Sequence, residues 1–119
     1  MTGTPKTLLK ALDTRDGHRC AWHPPGECNT ETLTPQHRAN RGMGGRKSLN
    51  RLSNLVWLCS EMNGLIESHA GVAREALERG IKISSHAEPS AVRIRHAVHG
   101  LVVLDDDGGI TRVEQGDDG

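Results

Sequence analysis

His37 sits in the stretch PQHRANRGMGG, residues 35–45, with Gln36 before it and glycines and arginines after it; Asn54 and Asn63 follow downstream. An imidazole, carboxamide oxygens and cationic side chains are what hydrolysis of a phosphodiester requires. A base must take a proton from water, a cation must stabilise charge on the phosphate and the leaving oxygen, and something must orient the base. A neutral imidazole titrates in the range the first task needs. The side-chain oxygens of Asn63 and Gln36 suit a hard ion such as Mg2+. Asn54 would hold the loop so that His37 points at the phosphate. Arg38, Arg41, Arg46, Lys47 and Arg51 would grip the flanking backbone, where phosphate contacts dominate affinity. The plainer reading of these cations is a solvated surface loop.

The elements that must position these residues follow from local pattern. Leu8, Leu9 and Leu12 have helical spacing, which predicts a short helix over 6–13 stopped by the RDG that follows. CAWHPPGEC is a turn-rich knuckle, and TETLTPQHR is a short strand reaching His37. The basic glycine-rich segment leads into NLVWLC, an apolar strand, and Ser60 is placed to cap a helix. That helix carries Met62, Leu65, Ile66 and His69 on one buried-type face, with Asn63 and Glu67 together on its flank. A second helix over 72–79 ends at Gly80, a natural C-cap. IKISS, AVRIRHAVHG, LVVLDDDGG and ITRVE read as short strands joined by turns. If the hairpin packs on the helix, His37 and Asn63 face each other across a shallow groove.

With 119 residues, the chain is long enough for one domain with a small appendage. Apolar residues make up 34%, with two Trp and neither Phe nor Tyr, a thin supply for a core that invites a metal or a partner. Net charge is zero, but its distribution is uneven. No Asp or Glu falls between Thr32 and Ser60, whereas five Asp and one Glu lie from Asp105 onward. A basic middle with an acidic end points to an anionic ligand such as nucleic acid. No apolar run is long enough for a membrane span, and the N-terminus lacks the apolar centre of a signal peptide, so a cytoplasmic location is expected. In a reducing compartment Cys20, Cys28 and Cys59 are thiolates or metal ligands rather than disulfides.

LTPQHRANRGMGG followed by LSNLVWLCSEMNGLIESH resembles the HNH endonucleases, most closely the small versions in bacteriophage genomes. The likeness covers residues 15–84, and its His–Asn–Asn order is His37, Asn54 and Asn63. It implies an α+β chain with a zinc-braced ββα-metal core, flanking helices and a short C-terminal β appendage. The nuclease unit would take 1–84 and the appendage, with its acidic tail, 85–119. By the resemblance His37 is the general base, Asn54 braces the hairpin, and Asn63 ligates one catalytic Mg2+ or Mn2+ in metal-dependent cleavage of DNA. Where many members have Asp or His as the other ligand, this chain has Gln36; Glu67 on the helix could supply the missing charge, or could be a surface or capping carboxylate. Members often carry two CxxC pairs holding a structural zinc. Here Cys20, His23, Cys28 and Cys59 make four ligands for Zn2+, with Met62 where a further Cys would stand. The alternative has Cys20 and Cys59 as small buried apolar residues and His23 on the surface.

Among the remaining residues, His69 is expected in the core, His18, His86, His96 and His99 on the surface, and Trp22 and Trp57 in the core. DDDGG is expected to be a turn between strands rather than a calcium loop. Two rival functions remain: a non-catalytic zinc module that binds DNA, and an accessory protein of phage DNA packaging whose C-terminal strands meet packaging proteins. The pattern indicates no oligomeric state.

Overall fold

The structure, a computed structural model, describes residues 5–24, 27–28, 30–40 and 49–113. Among these, three helices and two small antiparallel sheets form an α+β fold. Helix α1 (Lys6–Asp16) leads through the cysteine knuckle to strand β1 (Leu33–His37). The 3-10 turn Leu52–Asn54, strand β2 (Leu55–Cys59), helix α2 (Ser60–Ser68) and helix α3 (Ala70–Glu78) follow. Strands β3 (Ile94–His96), β4 (Gly100–Leu104) and β5 (Ile110–Arg112) make the second sheet, in the order β3-β4-β5. No helix among the described residues is long and apolar enough to cross a membrane.

Strand β2 explains why NLVWLC is apolar without interruption. All five of its residues are buried because both faces are covered. Side chains alternate along a strand, so Leu55 and Trp57 pack with Leu12 and Leu52 beneath α1. Val56 and Leu58 pack on the other side with Met62, Ile66, Ala76 and Ile81. β1 pairs with β2 in antiparallel register, Leu33 opposite Cys59 and His37 opposite Leu55. The hairpin therefore holds His37 beside the start of β2, while the far end of β2 runs directly into α2. The C-terminal strands, expected as an appendage, contribute Ile94, Val102 and Leu104 to the same buried cluster as Val56 and Leu58.

Several local expectations are revised. Ser60 is the first helical residue rather than the cap, which is Cys59; the Ser60 amide instead reaches Thr32 Oγ1 at 3.4 Å. His69 leaves the apolar face because α2 stops at Ser68. It is exposed, closes α2, and accepts the Val72 amide at Nδ1 to open α3. IKISS is not a strand: Ile83 makes one isolated parallel bridge to Ala39. Gly80 does end the helix, at φ +75°, and a Cβ there would lie 2.0 Å from the Arg93 carbonyl oxygen. DDDGG is a turn between β4 and β5, where Asp105 Oδ1 accepts the amides of Asp107 and Gly109.

The thin apolar supply is supplemented by buried ionic contacts. Arg15 and Asp16 end α1 with their side chains almost wholly covered. Arg15 binds both carboxylate oxygens of Asp16 and donates to the carbonyls of Leu52 and Leu55, both at 2.7 Å. Asp16 also meets His96 Nε2 at 3.2 Å and His99 Nε2 at 2.8 Å. Of the two histidines expected on the surface, His96 is thus buried and His99 half-buried, and both tie the second sheet to α1. The Val98 amide donates to His96 Nδ1 at 3.1 Å. A backbone N–H can only donate, so His96 carries its proton on Nε2 and gives it to Asp16. Burial alone would raise the Asp16 carboxyl, but the bonds from Arg15 and His96 hold it far below the usual carboxylate range. Burial pushes the His96 imidazole below its ordinary value, against the pull of Asp16.

Both shifts have one sign. The unfolded chain takes up protons more readily than the folded one at each group, so acid favours unfolding. Stability is expected to fall as pH drops below about 6.5, through His96, and again below about 4, through Asp16. Asp16→Asn, which leaves Arg15 buried without its charge partner, should cost roughly 3–5 kcal/mol in denaturant unfolding at neutral pH. A loss under about 1 kcal/mol would show that this cluster does not hold the second sheet to α1.

Candidate functional site

The knuckle and the β2–α2 junction converge on four ligands. Cys20 is fixed because its neighbour Ala21 bonds to both sides, its amide to the Trp57 carbonyl and its carbonyl to the Ala97 amide, each at 2.8 Å. Cys59 is fixed as the last residue of β2. Both are 2% exposed, while His23 and Cys28 are half-buried. One ligand atom from each of Cys20, His23, Cys28 and Cys59 lies within 4.8 Å of all the others, so the cluster could hold a metal ion. His23 Nδ1 stands 3.8 Å from both Cys20 Sγ and Cys59 Sγ. Tetrahedral zinc with bonds of about 2.3 Å to sulfur and about 2.0 Å to nitrogen would separate such atoms by about 3.5 Å. The donor set and spacing are therefore compatible with Zn2+. The Trp22 amide also donates to Cys20 Sγ at 3.4 Å. The Cys28 thiol is pushed up to about 12, by desolvation first and then by the neighbouring Cys20 and Cys59. A divalent ion held beside Cys28 would supply the positive charge that its thiolate needs.

Asp16, His96 and His99 form a second group with metal-ligand spacing, but their hydrogen bonds oppose that use. Two donors from Arg15 and one from each histidine fill the roughly four acceptor sites of a carboxylate. The Nε2 of His96 carries a proton where a metal would need a lone pair.

His37 is half-buried at the end of β1, with its Nε2 2.9 Å from Asn50 Oδ1. Asn54 is fully buried in the turn that opens β2. Its Oδ1 accepts the Ala39 amide at 2.8 Å, and its Nδ2 donates to the carbonyls of Ala39 and Leu49 at 3.2 and 3.0 Å. One side chain thus ties together the two ends of the basic glycine-rich segment. Lys82 Nζ donates to the His37 carbonyl at 2.9 Å. Burial lowers the Lys82 ammonium while the carboxylate of Glu67, on the flank of α2, pulls it upward. Asn63 is half-buried one turn earlier on that helix. The Gln36 amide donates to Thr34 Oγ1 at 2.9 Å.

Of the basic residues, Arg41, Arg46 and Lys47 lie outside the described residues. Arg38 is not a phosphate contact: it is fully buried, and its guanidinium donates to the carbonyls of Gly80, Ser53, Pro89 and Val92 at 2.7–3.0 Å. Arg51 is engaged internally by Glu88 and Asp106, which hold its guanidinium above its ordinary range. Asp106 also accepts from the amide and hydroxyl of Ser53, so the acidic β4–β5 turn steadies the residues just before Asn54. Trp57 is buried as expected, with His18 edge-on to its ring. Asn50 and Lys82 escaped the sequence reading. For Asn50, the only signal was an amide at the exit of the segment that His37 enters.

Comparison of the chain with family models, with curated proteins and with solved structures gives no match. The site therefore rests on its own geometry.

Asn54→Ala removes one acceptor and two donors from a buried position. It should destabilise the chain by roughly 2–4 kcal/mol and speed hydrogen exchange at the Ala39 amide. Unchanged exchange at Ala39 would show that Asn54 does not tie the segment.

Proposed function

We propose that the chain is a metal-dependent DNA endonuclease of the HNH type, its β1–β2 hairpin and α2 serving as a zinc-braced ββα-metal core. One observation carries this reading. A histidine at the end of a hairpin strand, its ring bonded to Asn50, stands at the mouth of a basic glycine-rich segment whose two ends meet on Asn54.

His37 is the general base: one ring nitrogen is engaged by Asn50 and the other, unbonded among the described residues, takes a proton from water. Asn54 holds the backbone on which the base sits. Arg41, Arg46 and Lys47 grip phosphates on either side of the scissile bond. A bound Mg2+ or Mn2+ supplies charge neutralisation at the phosphate and the leaving oxygen. Gln36, Asn63 and Glu67 are the residues that would hold it, a donor set made wholly of oxygen, as a hard ion requires. Cys20, His23, Cys28 and Cys59 are the residues that would hold Zn2+, and four protein ligands would make its role structural.

A second reading, a DNA-binding zinc module without catalysis, draws support from two contacts. The Gln36 amide is bonded to Thr34, and the Glu67 charge acts on Lys82. Both weaken the catalytic donor set.

Plasmid cleavage by the purified chain separates the two. Nicking is expected with Mg2+ or Mn2+ and not with EDTA, and His37→Ala should slow it by roughly 10²–10⁴-fold with an unchanged melting temperature. Binding without any cutting supports the second reading, and cutting that survives His37→Ala at full rate rejects His37 as the base. Elemental analysis should find about one zinc per chain, retained through dialysis, and strong chelators should unfold the protein. Folded, zinc-free protein would reject the structural zinc.

A further inference from the structure

Asn50 lies at the exit of the segment that His37 enters, and the His37 Nε2 to Asn50 Oδ1 distance is 2.9 Å. An amide oxygen only accepts hydrogen bonds, so this contact requires a proton on Nε2. In a neutral imidazole the lone pair is then on Nδ1.

We propose that Asn50 is a positioning residue that fixes the tautomer of His37 and so makes Nδ1 the atom that takes the proton. This rests on the nuclease reading for its consequence, but the tautomer itself does not. In the reaction, Nδ1 takes a proton from water as the water oxygen forms a bond to phosphorus. The bond from phosphorus to the leaving oxygen breaks, and that oxygen keeps the electron pair. The imidazolium formed carries its charge toward Nε2–H, and the bond to Asn50 strengthens as its donor becomes charged. Without Asn50 the described residues hold the ring by no other hydrogen bond, so it can turn and place its proton on Nδ1, which then cannot act as the base. The Lys82 bond to the His37 carbonyl fixes the backbone of the same residue, while the Asn50 bond acts on its ring.

The test uses the 15N chemical shifts of the His37 ring in the full chain, in mildly alkaline buffer, with cleavage kinetics beside them. The wild-type spectrum should show the proton on Nε2. Asn50→Asp keeps an acceptor oxygen and should keep that tautomer; Asn50→Ala should give a mixture. In cleavage, Asn50→Ala should lower kcat about tenfold or more with KM little changed, as a base in the wrong tautomer does, and Asn50→Asp should cut faster than Asn50→Ala. A wild-type ring protonated on Nδ1 overturns the proposal, and so does an Asn50→Ala ring with the wild-type tautomer. Should Asn50→Ala fail to fold, the wild-type and Asn50→Asp spectra still decide. If the spectra behave as expected while no variant cuts DNA, the tautomer assignment stands and the nuclease reading falls.

Discussion

A buried guanidinium organises the middle of this molecule. Arg38 has no exposed surface, and its four hydrogen bonds go to carbonyls of the β2 entry turn, the end of α3 and the approach to β3. Burial, with the like charge of Arg15, pulls the group down to about 10, so it stays charged at neutral pH. A buried charge is costly unless its donors are satisfied. The backbone around Arg38 must therefore hold its carbonyls in one arrangement. That requirement fixes the geometry next to His37, the residue immediately before it.

The neighbouring contacts extend the same constraint. The Arg38 amide donates to the Asn54 carbonyl, and its own carbonyl accepts the Ile83 amide. Asn54 in turn joins Ala39 to Leu49, and Asp106 holds Ser53 from the opposite sheet. The histidine thus stands on a frame of backbone hydrogen bonds rather than on a large apolar core. A chain with two tryptophans and no other large aromatic ring has reason to use such a frame. The Cys20–His23–Cys28–Cys59 cluster, which could hold a metal ion, lies at the other end of the hairpin, where β2 becomes α2.

Much of this was legible because it is local. The β2 run, the C-capping Gly80 and the Asp105 turn each follow from residues a few positions apart. The ligand cluster was legible because cysteine and histidine advertise their chemistry, even with Cys59 far along the chain. The errors have a common cause. Arg38 looks like a surface cation, and its partners are main-chain carbonyls distant in sequence; every residue has such a carbonyl, so no residue type signals the pairing. His96 and His99 were misplaced because their partner, Asp16, lies at the other end of the chain. His69 was misplaced by a helical period extended one residue past the helix. Asn50 was missed because its role depends on the path of the segment between it and His37, which periodicity does not describe.

Cleavage of a duplex DNA in water enriched in oxygen-18 tests the central claim most directly, because it reads the identity of the attacking group. The account predicts cut ends with one labelled oxygen on the terminal phosphate, formed with Mg2+ or Mn2+ by the wild-type chain and not by His37→Ala. Uncut duplex under those conditions, or equal labelled cleavage by His37→Ala, would contradict it.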